Sequence, residues 1–288
     1  MTLKRHKHSV FDIVVFLLVL ISVLICILPC LFILAESFSS NNAIVSQKVL
    51  LWPVEFTMQT YQAVFSDSKM VHSLLYSVVL TVVSTVLNML TTILAAYPLT
   101  KKDLKGRNFF LMLIMLTMYF SGGIIPDYLL VENLHLMNTV WSLLLPGLMS
   151  VYNMIILKTF FQSLPPSLTE AASLDGCSEF GILFRIVLPL SLPAIATLSL
   201  FYAVGRWNGF QDALYYITNP DLYPSQQKLY LIISVSQSLD LQEGRDAGVA
   251  PEGLKAASVV FATVPVLLIY PWLQKYFVSG VMIGAVKG

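Results

Sequence analysis

Long apolar runs alternate with short polar stretches along this chain of 288 residues. Each run carries few charges and is about 20 residues or longer. At 1.5 Å per residue, that is enough for a helix to cross a hydrocarbon core about 30 Å thick. The pattern predicts an all-α integral membrane protein in which residues 11–288 form a single transmembrane domain. Six transmembrane helices are expected near residues 11–35, 74–97, 109–130, 140–161, 192–216 and 256–277.

The first apolar run is interpreted as a membrane span rather than a signal peptide. It exceeds the roughly 7–15 apolar residues of a signal-peptide core, and no small-residue cleavage site follows it. In the third run, Ser121-Gly122-Gly123 and Pro126 should weaken or break the helix, and the fourth run contains Pro146-Gly147. Residues 127–138 are expected to form an outer extension and turn of the third span.

Composition agrees with a membrane protein. Apolar residues make up 57% of the chain and charged residues 11%, with a mean hydropathy of +0.76, whereas soluble domains carry about 25% charged residues. A net charge of +1 gives no reason to expect a nucleic-acid partner. Cys26, Cys30 and Cys177 are too few for a disulfide framework, so buried or reduced thiols are expected. The cysteines and histidines show no metal-binding spacing.

The cationic residues indicate which side of the membrane each loop faces, because lysine and arginine are enriched on the cytoplasmic side. The cations that set the orientation are Lys4, Arg5, Lys7, Lys101, Lys102, Lys105, Arg107, Arg185, Lys275 and Lys287. Residues 1–10, the loop 163–190 and the tail 278–288 are therefore predicted to be cytoplasmic. The loops 36–72 and 218–255 are predicted to be external.

Both predicted external loops have recognisable features. The first carries aromatic residues suited to a membrane interface, among them Trp52, Tyr61 and Phe65. The second contains an amphipathic helical piece at 227–239 and an acidic segment at 240–253 that is expected to be a solvated loop.

A polar, turn-rich stretch separates the fourth and fifth runs. Pro165-Pro166 should stop the preceding helix, since proline lacks an N–H and its ring clashes with the turn before it. Ser167 and Glu170 have the spacing of a capping box. A short helix should therefore begin there and end at Gly176, which tolerates a left-handed C-terminal cap. A second helical piece should run from about 178 to 188 and stop at Pro189.

This stretch resembles the cytoplasmic coupling loop of permease subunits from ATP-binding-cassette (ABC) importers. The matching positions are Glu170, Ala171, Ala172, Asp175, Gly176, Ile186, Leu188, Pro189 and Pro193. Cys177 departs mildly from the family, which usually has alanine or another small residue there. The resemblance implies the type I importer fold, with a cytoplasmic coupling helix that docks in a groove of a separate ATPase. Glu170 would either only cap this helix or also offer its charge to an arginine of that ATPase.

Further segments resemble carbohydrate-importer permeases related to the maltose-importer subunit with the shorter outer loops. These segments are residues 125–126, 128–130, 136–139 and 144–147. Residues 201–205, 207–208 and the tail 280–288 resemble the subgroup of polysaccharide or oligosaccharide permeases. The resemblance implies half of a translocation path for an oligosaccharide, or for a fragment of an acidic polysaccharide, in the bacterial cytoplasmic membrane.

The chain has no G-x-x-x-x-G-K-[ST] loop, nucleophile–base pair, carboxylate pair or histidine cluster, so it is not expected to be an enzyme. The resemblance implies that ATP and Mg²⁺ are bound by a partner ATPase dimer and that this chain holds no cofactor. It also implies a second homologous permease subunit and an extracellular or periplasmic solute-binding protein, which the outer loop before the last span would enter. The glycine-bearing tail 279–288 would be either disordered or located between the ATPase subunits.

The fifth run contains the most informative polar residues. Arg206 lies near its middle, where an ionised side chain costs about 2.5–3.5 kcal/mol on insertion scales. Asn208, Asp212 and Tyr215 would share one face of a regular helix, whereas Arg206 would not, so pairing of Arg206 with Asp212 is not expected. Gly205-x-x-x-Gly209 permits close helix packing or a local break.

Two interpretations of this polar cluster stay open. In the first, Arg206, Asn208 and Asp212 line a cavity for a hydroxyl-rich or acidic sugar, with Trp207 as a stacking platform and Asn153 as a weaker candidate. In the second, the cluster is a polar contact between two permease subunits. In an importer, movement of the coupling helix is expected to pass Pro189 and reach Arg206 through one continuous element.

Two other classes of protein are also considered. A self-sufficient secondary transporter would use broken helices and charges at the membrane midplane. Arg206 and the glycine and proline interruptions favour this class, but no second half of the chain mirrors the first. A membrane scaffold without a transport path would leave Arg206 unexplained.

Overall fold

The computed structural model describes residues 10–239 and 250–285, so most of the acidic segment predicted at 240–253 lies outside it. Within these residues every regular element is helical. In chain order the α-helices are α1 (Val10–Ser37), α2 (Asn41–Val45), α3 (Gln59–Ser66), α4 (Ser68–Ala96), α5 (Arg107–Tyr119), α6 (Ile124–Asn133), α7 (Trp141–Leu144), α8 (Val151–Ser163), α9 (Pro166–Leu174), α10 (Glu179–Ile182), α11 (Leu188–Leu190), α12 (Leu192–Asn208), α13 (Gln211–Tyr216), α14 (Ser225–Leu239) and α15 (Pro251–Ala285). Short 3₁₀ turns occur at Pro98–Thr100 and Pro220–Leu222, and a π-turn at Leu183–Val187.

Three helices in the described part of the chain are long and apolar enough to cross a membrane: Phe11–Ser37, Ser68–Thr100 and Pro251–Ile269. Two further stretches meet the same criteria only as bent pairs. Arg107–Tyr119 and Ile124–Asn133 meet at 114°, and Glu179–Leu190 and Leu192–Asn208 meet at 82°. The described residues therefore provide three such helices, or up to five if each bent pair is one span. The number of six spans stays a prediction.

A glycine interrupts the third predicted span. α5 ends at Tyr119, and α6 begins directly after Gly123, whose φ of +89° is rarely adopted by residues with a side chain. The expectation that Ser121-Gly122-Gly123 weakens or breaks this span is confirmed, and the helix does not run continuously over 109–130. The turn expected at 127–138 is helical as far as Asn133.

A proline divides the fourth predicted span, 140–161. α7 ends at Leu144, two residues before Pro146, which has no backbone N–H to donate. α8 begins at Val151, with Ser150 as its N-cap. The 13 residues of α8 form about 20 Å of helix, which is less than a hydrocarbon core of about 30 Å. The expected continuous helix over this range is therefore wrong.

The chain divides into two compact units. One is formed within Met1–Met70 and Leu229–Pro265, the other within Val71–Lys228 and Val266–Gly288. In the first unit, α2 and α3 fold the loop predicted at 36–72, and a backbone hydrogen bond of 2.9 Å joins Thr57 N to Phe38 O. The small core of this unit comprises Ala35, Ala43, Ile44, Val49 and Ala250. Cys26 and Cys30 are exposed and Cys177 is partly buried in this structure, so the first two are not the buried thiols that were one expectation.

The main core of the second unit lies where α4, α8, α12 and the stretch 182–187 meet. Its most deeply buried large side chains, each at most 1% exposed, are Met154, Leu157, Ile182, Leu183 and Leu198. This core therefore packs the polar stretch after α8 directly against the ends of α4 and α8.

The last two helices are longer than the sequence pattern indicated. α14 begins at Ser225, two residues before the predicted start at 227. α15 begins at Pro251, a suitable first helical residue because its missing N–H would be unpaired there anyway. The backbone of α15 continues through Ala285, so residues 279–285 of the tail are helical. Residues 286–288 lie outside the described part.

Candidate functional site

The N-terminus of α9 differs from the predicted capping box. Pro165 is the N-cap, and no side chain caps the helix. Pro166 occupies the first helical position, for which its fixed φ is suited. Ser167 therefore lies inside the helix, and Glu170 lies at the fifth helical position rather than the third that a capping box needs. The interpretation of Glu170 as a cap is wrong.

The C-terminus of α9 is closed as predicted at Gly176. This glycine has a φ of +81°, in the left-handed region that favours glycine. Its N–H bonds to the carbonyl of Ser173 at 3.1 Å, and the next N–H, of Cys177, bonds to the carbonyl of Ala172 at 3.0 Å. These two bonds form a Schellman motif, which satisfies carbonyls that the end of the helix leaves unpaired.

The second helical piece continues past its expected end. Ser178 caps α10, where its Oγ accepts a hydrogen bond from Gly181 N at 3.2 Å. The π-turn then widens the helix, and Leu188 N bonds to the carbonyl of Leu183, five residues back. Pro189 lies inside α11, and the break falls at Ser191, before α12 leaves at 82°. The predicted stop at Pro189 is wrong, and this stretch and the fifth span are not one continuous element.

We call residues 166–190 the coupling segment. One side packs against the rest of the second unit through Ala172, which is 7% exposed, and through Ile186 and Leu188, which are partly buried. The other side is open. Its exposed residues include Glu170, Ala171, Leu174, Asp175 and Pro189, with Leu174 89% exposed. The segment therefore presents acidic and apolar side chains on its free surface.

A cavity of about 760 Å³, open to the surface, is formed within the second unit by α4, α8, α12 and the start of α13. Amide, hydroxyl and aromatic side chains predominate in its lining. They are Ser84, Asn88, Ser150, Tyr152, Asn153, Phe201, Tyr202, Asn208, Phe210 and Gln211. Arg206 and Asp212 also contribute to the lining.

The helix of the fifth predicted span ends at this cavity. α12 stops at Asn208, and α13 begins at Gln211 after a turn through Gly209. The continuous helix over 192–216 is therefore wrong, and the local break that the spacing of Gly205 and Gly209 permitted is confirmed. Asn208 and Asp212 consequently do not share a face of one helix, and Arg206 lies in the last turn of α12 rather than at mid-helix.

Arg206 and Asp212 form an ion pair across this break. The guanidinium donates to both carboxylate oxygens, with an Nη2–Oδ1 distance of 3.0 Å. Nη1 also donates to the carbonyl of Leu143 at 3.1 Å, and Nη2 to that of Gly209 at 3.2 Å. The expectation that the two residues do not pair is wrong, because it assumed a regular helix through residues 209 and 210.

These contacts leave Arg206 little capacity to bind a ligand. An arginine has five N–H donors, and four are engaged by Asp212 and the two carbonyls. The fifth, at Nε, is buried and has no partner among the described residues. The Arg206 side chain is only 9% exposed. These contacts indicate that Arg206 fixes the position of the end of α12.

The other predicted path residues divide into two groups. Asn153 and Asn208 line the cavity. Trp207 is 8% exposed and is not part of this lining, so its stacking role stays a prediction without a contact to the cavity. Its indole N–H is buried without a partner in the described structure. Tyr215 is also outside the lining.

Sequence reasoning missed the hydroxyl group of Tyr202. It lies 2.7 Å from Thr92 Oγ1 and accepts a hydrogen bond from Ser150 N at 3.0 Å, which joins α12, α4 and the start of α8. A signal was available in α4, where Ser84, Asn88 and Thr92 recur every four residues. Small polar residues on one face of an apolar helix commonly form hydrogen bonds between membrane helices.

Comparison with known proteins identifies the class of this fold. Residues 10–283 match the family described as binding-protein-dependent transport system inner membrane component. The chain belongs to this family, and it is a bacterial membrane protein of the permease class rather than an enzyme.

Two relatives from Bacillus subtilis (strain 168) are similar over almost the whole chain. The polygalacturonan/rhamnogalacturonan transport system permease protein YtcP is 44% identical over 98% of this chain and 100% of its own length. Protein LplC is 45% identical over 92% of this chain and 90% of its own length. A crystal structure of a bacterial ABC transporter involved in the import of the acidic polysaccharide alginate contains a similar chain. The TM-score is 0.88 at 29% identity, covering 96% of this chain and 100% of that one.

Proposed function

We propose that this chain is the permease subunit of an ATP-driven, binding-protein-dependent importer and forms half of the path for an oligosaccharide. The observation that carries the proposal is the cavity of about 760 Å³ with its amide, hydroxyl and aromatic lining. Sugar hydroxyls both donate and accept hydrogen bonds, as amides and hydroxyls do. Aromatic rings such as those of Tyr152 and Phe201 suit the apolar C–H faces of a sugar ring.

The charge of the lining bears on which sugar is bound. Arg206 is neutralised by Asp212, so this half of the path offers hydrogen bonds rather than a free cation. A related permease serves polygalacturonan and rhamnogalacturonan, and a structural relative belongs to an alginate importer. Uronic-acid oligosaccharides are therefore the first substrates to test. Their carboxylates would be balanced outside this lining, most simply by the second permease subunit.

The coupling segment supports a partner ATPase. The sequence has no phosphate-binding loop of its own, so ATP and Mg²⁺ would be held by a separate ATPase dimer. Glu170 and Leu174 are exposed and lie four residues apart, on one face of α9. That face would dock on the ATPase, with Glu170 placed to meet a cationic side chain.

The remaining partners and the orientation follow from the same proposal. Both termini would be cytoplasmic, because lysine and arginine are enriched on the cytoplasmic side and the sequence has such residues near each end and at 101–107. A solute-binding protein would deliver the sugar from outside, and a second homologous permease would complete the path. The family assignment favours this function over a self-sufficient secondary transporter.

Purification and a sugar panel test this proposal. The tagged chain, extracted from membranes, should bring an ATPase and a second permease with it. ATP hydrolysis by that complex, with its binding protein, should be stimulated by trigalacturonate, by an alginate trisaccharide or by maltotriose. Asn153→Ala should raise the sugar concentration needed for half-maximal stimulation, whereas Thr159→Ala, on the exposed side of α8, should not. Absence of an ATPase from the purified chain would refute the importer function.

A further inference from the structure

We infer that α4 carries movement of the coupling segment to the cavity, through a joint formed by Tyr97, Lys101 and Glu179. The inference rests on the proposed function, since it assigns a route to the coupling between the ATPase and the sugar path. It assigns a positioning role to three residues outside the sequence motif of the coupling loop.

The joint connects the end of α4 to the start of α10. The Tyr97 hydroxyl donates to Glu179 Oε2 at 2.8 Å, and Lys101 Nζ lies 2.8 Å from the same oxygen. Lys101 Nζ also lies 5.1 Å from the centroid of the Tyr97 ring, within reach of a cation–π interaction. Each of the three side chains therefore contacts the other two.

Apolar packing around Tyr97 stabilises the contact between the end of α4 and α10. Tyr97 is 7% exposed and meets the ring of Phe161 edge-on, with ring centroids 6.4 Å apart. Ile182, the last residue of α10, and Leu183, which follows it, are each 1% exposed and belong to the same core. The ion pair itself is partly exposed, 35% for Lys101 and 61% for Glu179, and such pairs stabilise little on their own. The core therefore holds the two elements together, and the charged pair fixes their orientation.

α4 connects this joint to the cavity without interruption. The helical bonding continues beyond Ala96, because Tyr97 N bonds to the carbonyl of Ile93 at 3.0 Å. Asn88, which lines the cavity, lies nine residues before Tyr97, or about 14 Å along the helix axis. Between them, Thr92 contacts the Tyr202 hydroxyl. A shift of the joint would thus move a wall of the cavity and one of the hydrogen bonds that position α12.

The alternative route, through α12, contains a break that can absorb motion. The coupling segment contains a π-turn at Leu183–Val187, and an 82° bend at Ser191 separates the segment from α12. Hinges of this kind absorb rotation through changes at a few backbone dihedral angles. In the described structure, α4 has no corresponding break between the joint and Asn88. α4 is therefore the stiffer of the two connections.

Charge-pair variants test the joint in the assembled complex. Glu179→Gln and Lys101→Met should each lower the amount of trigalacturonate taken up per ATP hydrolysed by about fivefold or more, the lower end of typical coupling between sites. The reversed pair, Lys101→Glu with Glu179→Lys, should recover most of that ratio. Lys102→Met removes a neighbouring exposed charge and should leave the ratio unchanged. Full coupling in both single variants, or no recovery in the reversed pair, would overturn the inference.

Paired alanine-to-glycine substitutions test the route itself, because glycine makes a helix more flexible. Ala95→Gly with Ala96→Gly, in α4 between the joint and the cavity, should lower the uptake ratio by about fivefold. Ala194→Gly with Ala196→Gly, the matched change in α12, should have less than half that effect. The reverse order of effects would assign the route to α12 and contradict the inference.

The two proposals fail in distinguishable ways. If no ATPase is purified with the chain, the proposed function fails. If the complex assembles and transports but the charge-pair and glycine variants behave like the wild type, only the route through α4 fails. Thermal stability of each variant complex separates a loss of coupling from a loss of folding.

Discussion

Arg206 and Asp212 are six residues apart and form a bidentate ion pair, because α12 ends between them at Asn208. Arg206 also binds the carbonyls of Leu143 and Gly209. One side chain therefore holds together α7, the last turn of α12 and the start of α13. This arrangement places a satisfied charge, rather than a free one, beside the cavity.

Removal of one partner of this pair should destabilise the chain. Asp212→Asn leaves the Arg206 charge poorly compensated at a site where only 9% of its side chain is exposed. We expect a loss of about 2–3 kcal/mol, somewhat below the 3–5 kcal/mol typical of fully buried pairs, because Asp212 is 27% exposed. Thermal unfolding of the purified complex measures the effect.

A double-mutant cycle provides the control for this prediction. The cycle compares Arg206→Met, Asp212→Leu and their combination, and the double variant, which removes both charges, should be more stable than either of these two single variants. Strictly additive losses would show that the two residues do not interact.

Uptake should fall in Arg206→Ala even when the complex assembles, because the end of α12 loses the side chain that fixes its position.

We predict that the space around Gly209 does not accommodate a side chain. A Cβ at this position would lie 3.2 Å from the carbonyl oxygen of Gly205 and 3.3 Å from Arg206 Nη2. Gly209→Ala should therefore displace the guanidinium and cost about 1 kcal/mol, as moderate overpacking does. Gly205→Ala is the matched control, since a Cβ there meets nothing within 4 Å. Equal stability of the two variants in thermal unfolding would contradict the geometry of the break.

The Tyr202 hydroxyl should contribute measurably to stability. Tyr202→Phe leaves Thr92 Oγ1 and Ser150 N without their shared partner. Hydrogen bonds between membrane helices contribute about 0.6 kcal/mol on average and about 1.7 kcal/mol at most, so a loss in this range is expected. Tyr152→Phe, at a residue that is 58% exposed, should cost less. A stability loss for Tyr152→Phe as large as that for Tyr202→Phe would count against the shared role of the Tyr202 hydroxyl.

Gly176 should be sensitive to any side chain because of its backbone conformation. Its φ of +81° closes the Schellman motif at the end of α9. Gly176→Ala should cost about 1–2 kcal/mol through left-handed strain and should weaken binding of the ATPase if α9 docks there. Gly147→Ala is the control, because Gly147 has no strained φ and open space around its Cβ position. Unchanged co-purification of the ATPase with Gly176→Ala would argue against docking through this end of α9.

The sequence predicted some helix ends and breaks correctly where a glycine or a proline restricts the backbone conformation. Gly176 ended a helix, Ser121-Gly122-Gly123 marked a break, and Pro146-Gly147 interrupted a run, as their φ preferences require. The capping box failed because Pro166 starts the helix one residue earlier than Ser167, and the motif alone does not fix which residue begins the helix.

Hydrophobicity could not predict how the fifth run folds. The run from 192 to 216 contains only two charged residues, Arg206 and Asp212, so the pattern favoured a single helix. The break is stabilised by hydrogen bonds from Arg206 to Asp212 and to the carbonyl of Leu143. Leu143 lies 63 positions earlier in the chain, so the sequence around the break does not show this contact. The burial of Trp207 is a further tertiary effect, since both faces of an apolar helix look alike in sequence. Ser84 and Asn88, two polar residues of α4 that line the cavity, are visible in the sequence but were not predicted to lie there.

The most direct measurement of the central claim is ATP-driven uptake of trigalacturonate into proteoliposomes that contain the purified complex and its binding protein. We expect uptake to require ATP and the binding protein, and we expect Glu170→Lys to reduce it about tenfold or more while the chain remains in the membrane. Uptake that continues without the ATPase, or that is unchanged by Glu170→Lys, would contradict a permease driven through its coupling segment.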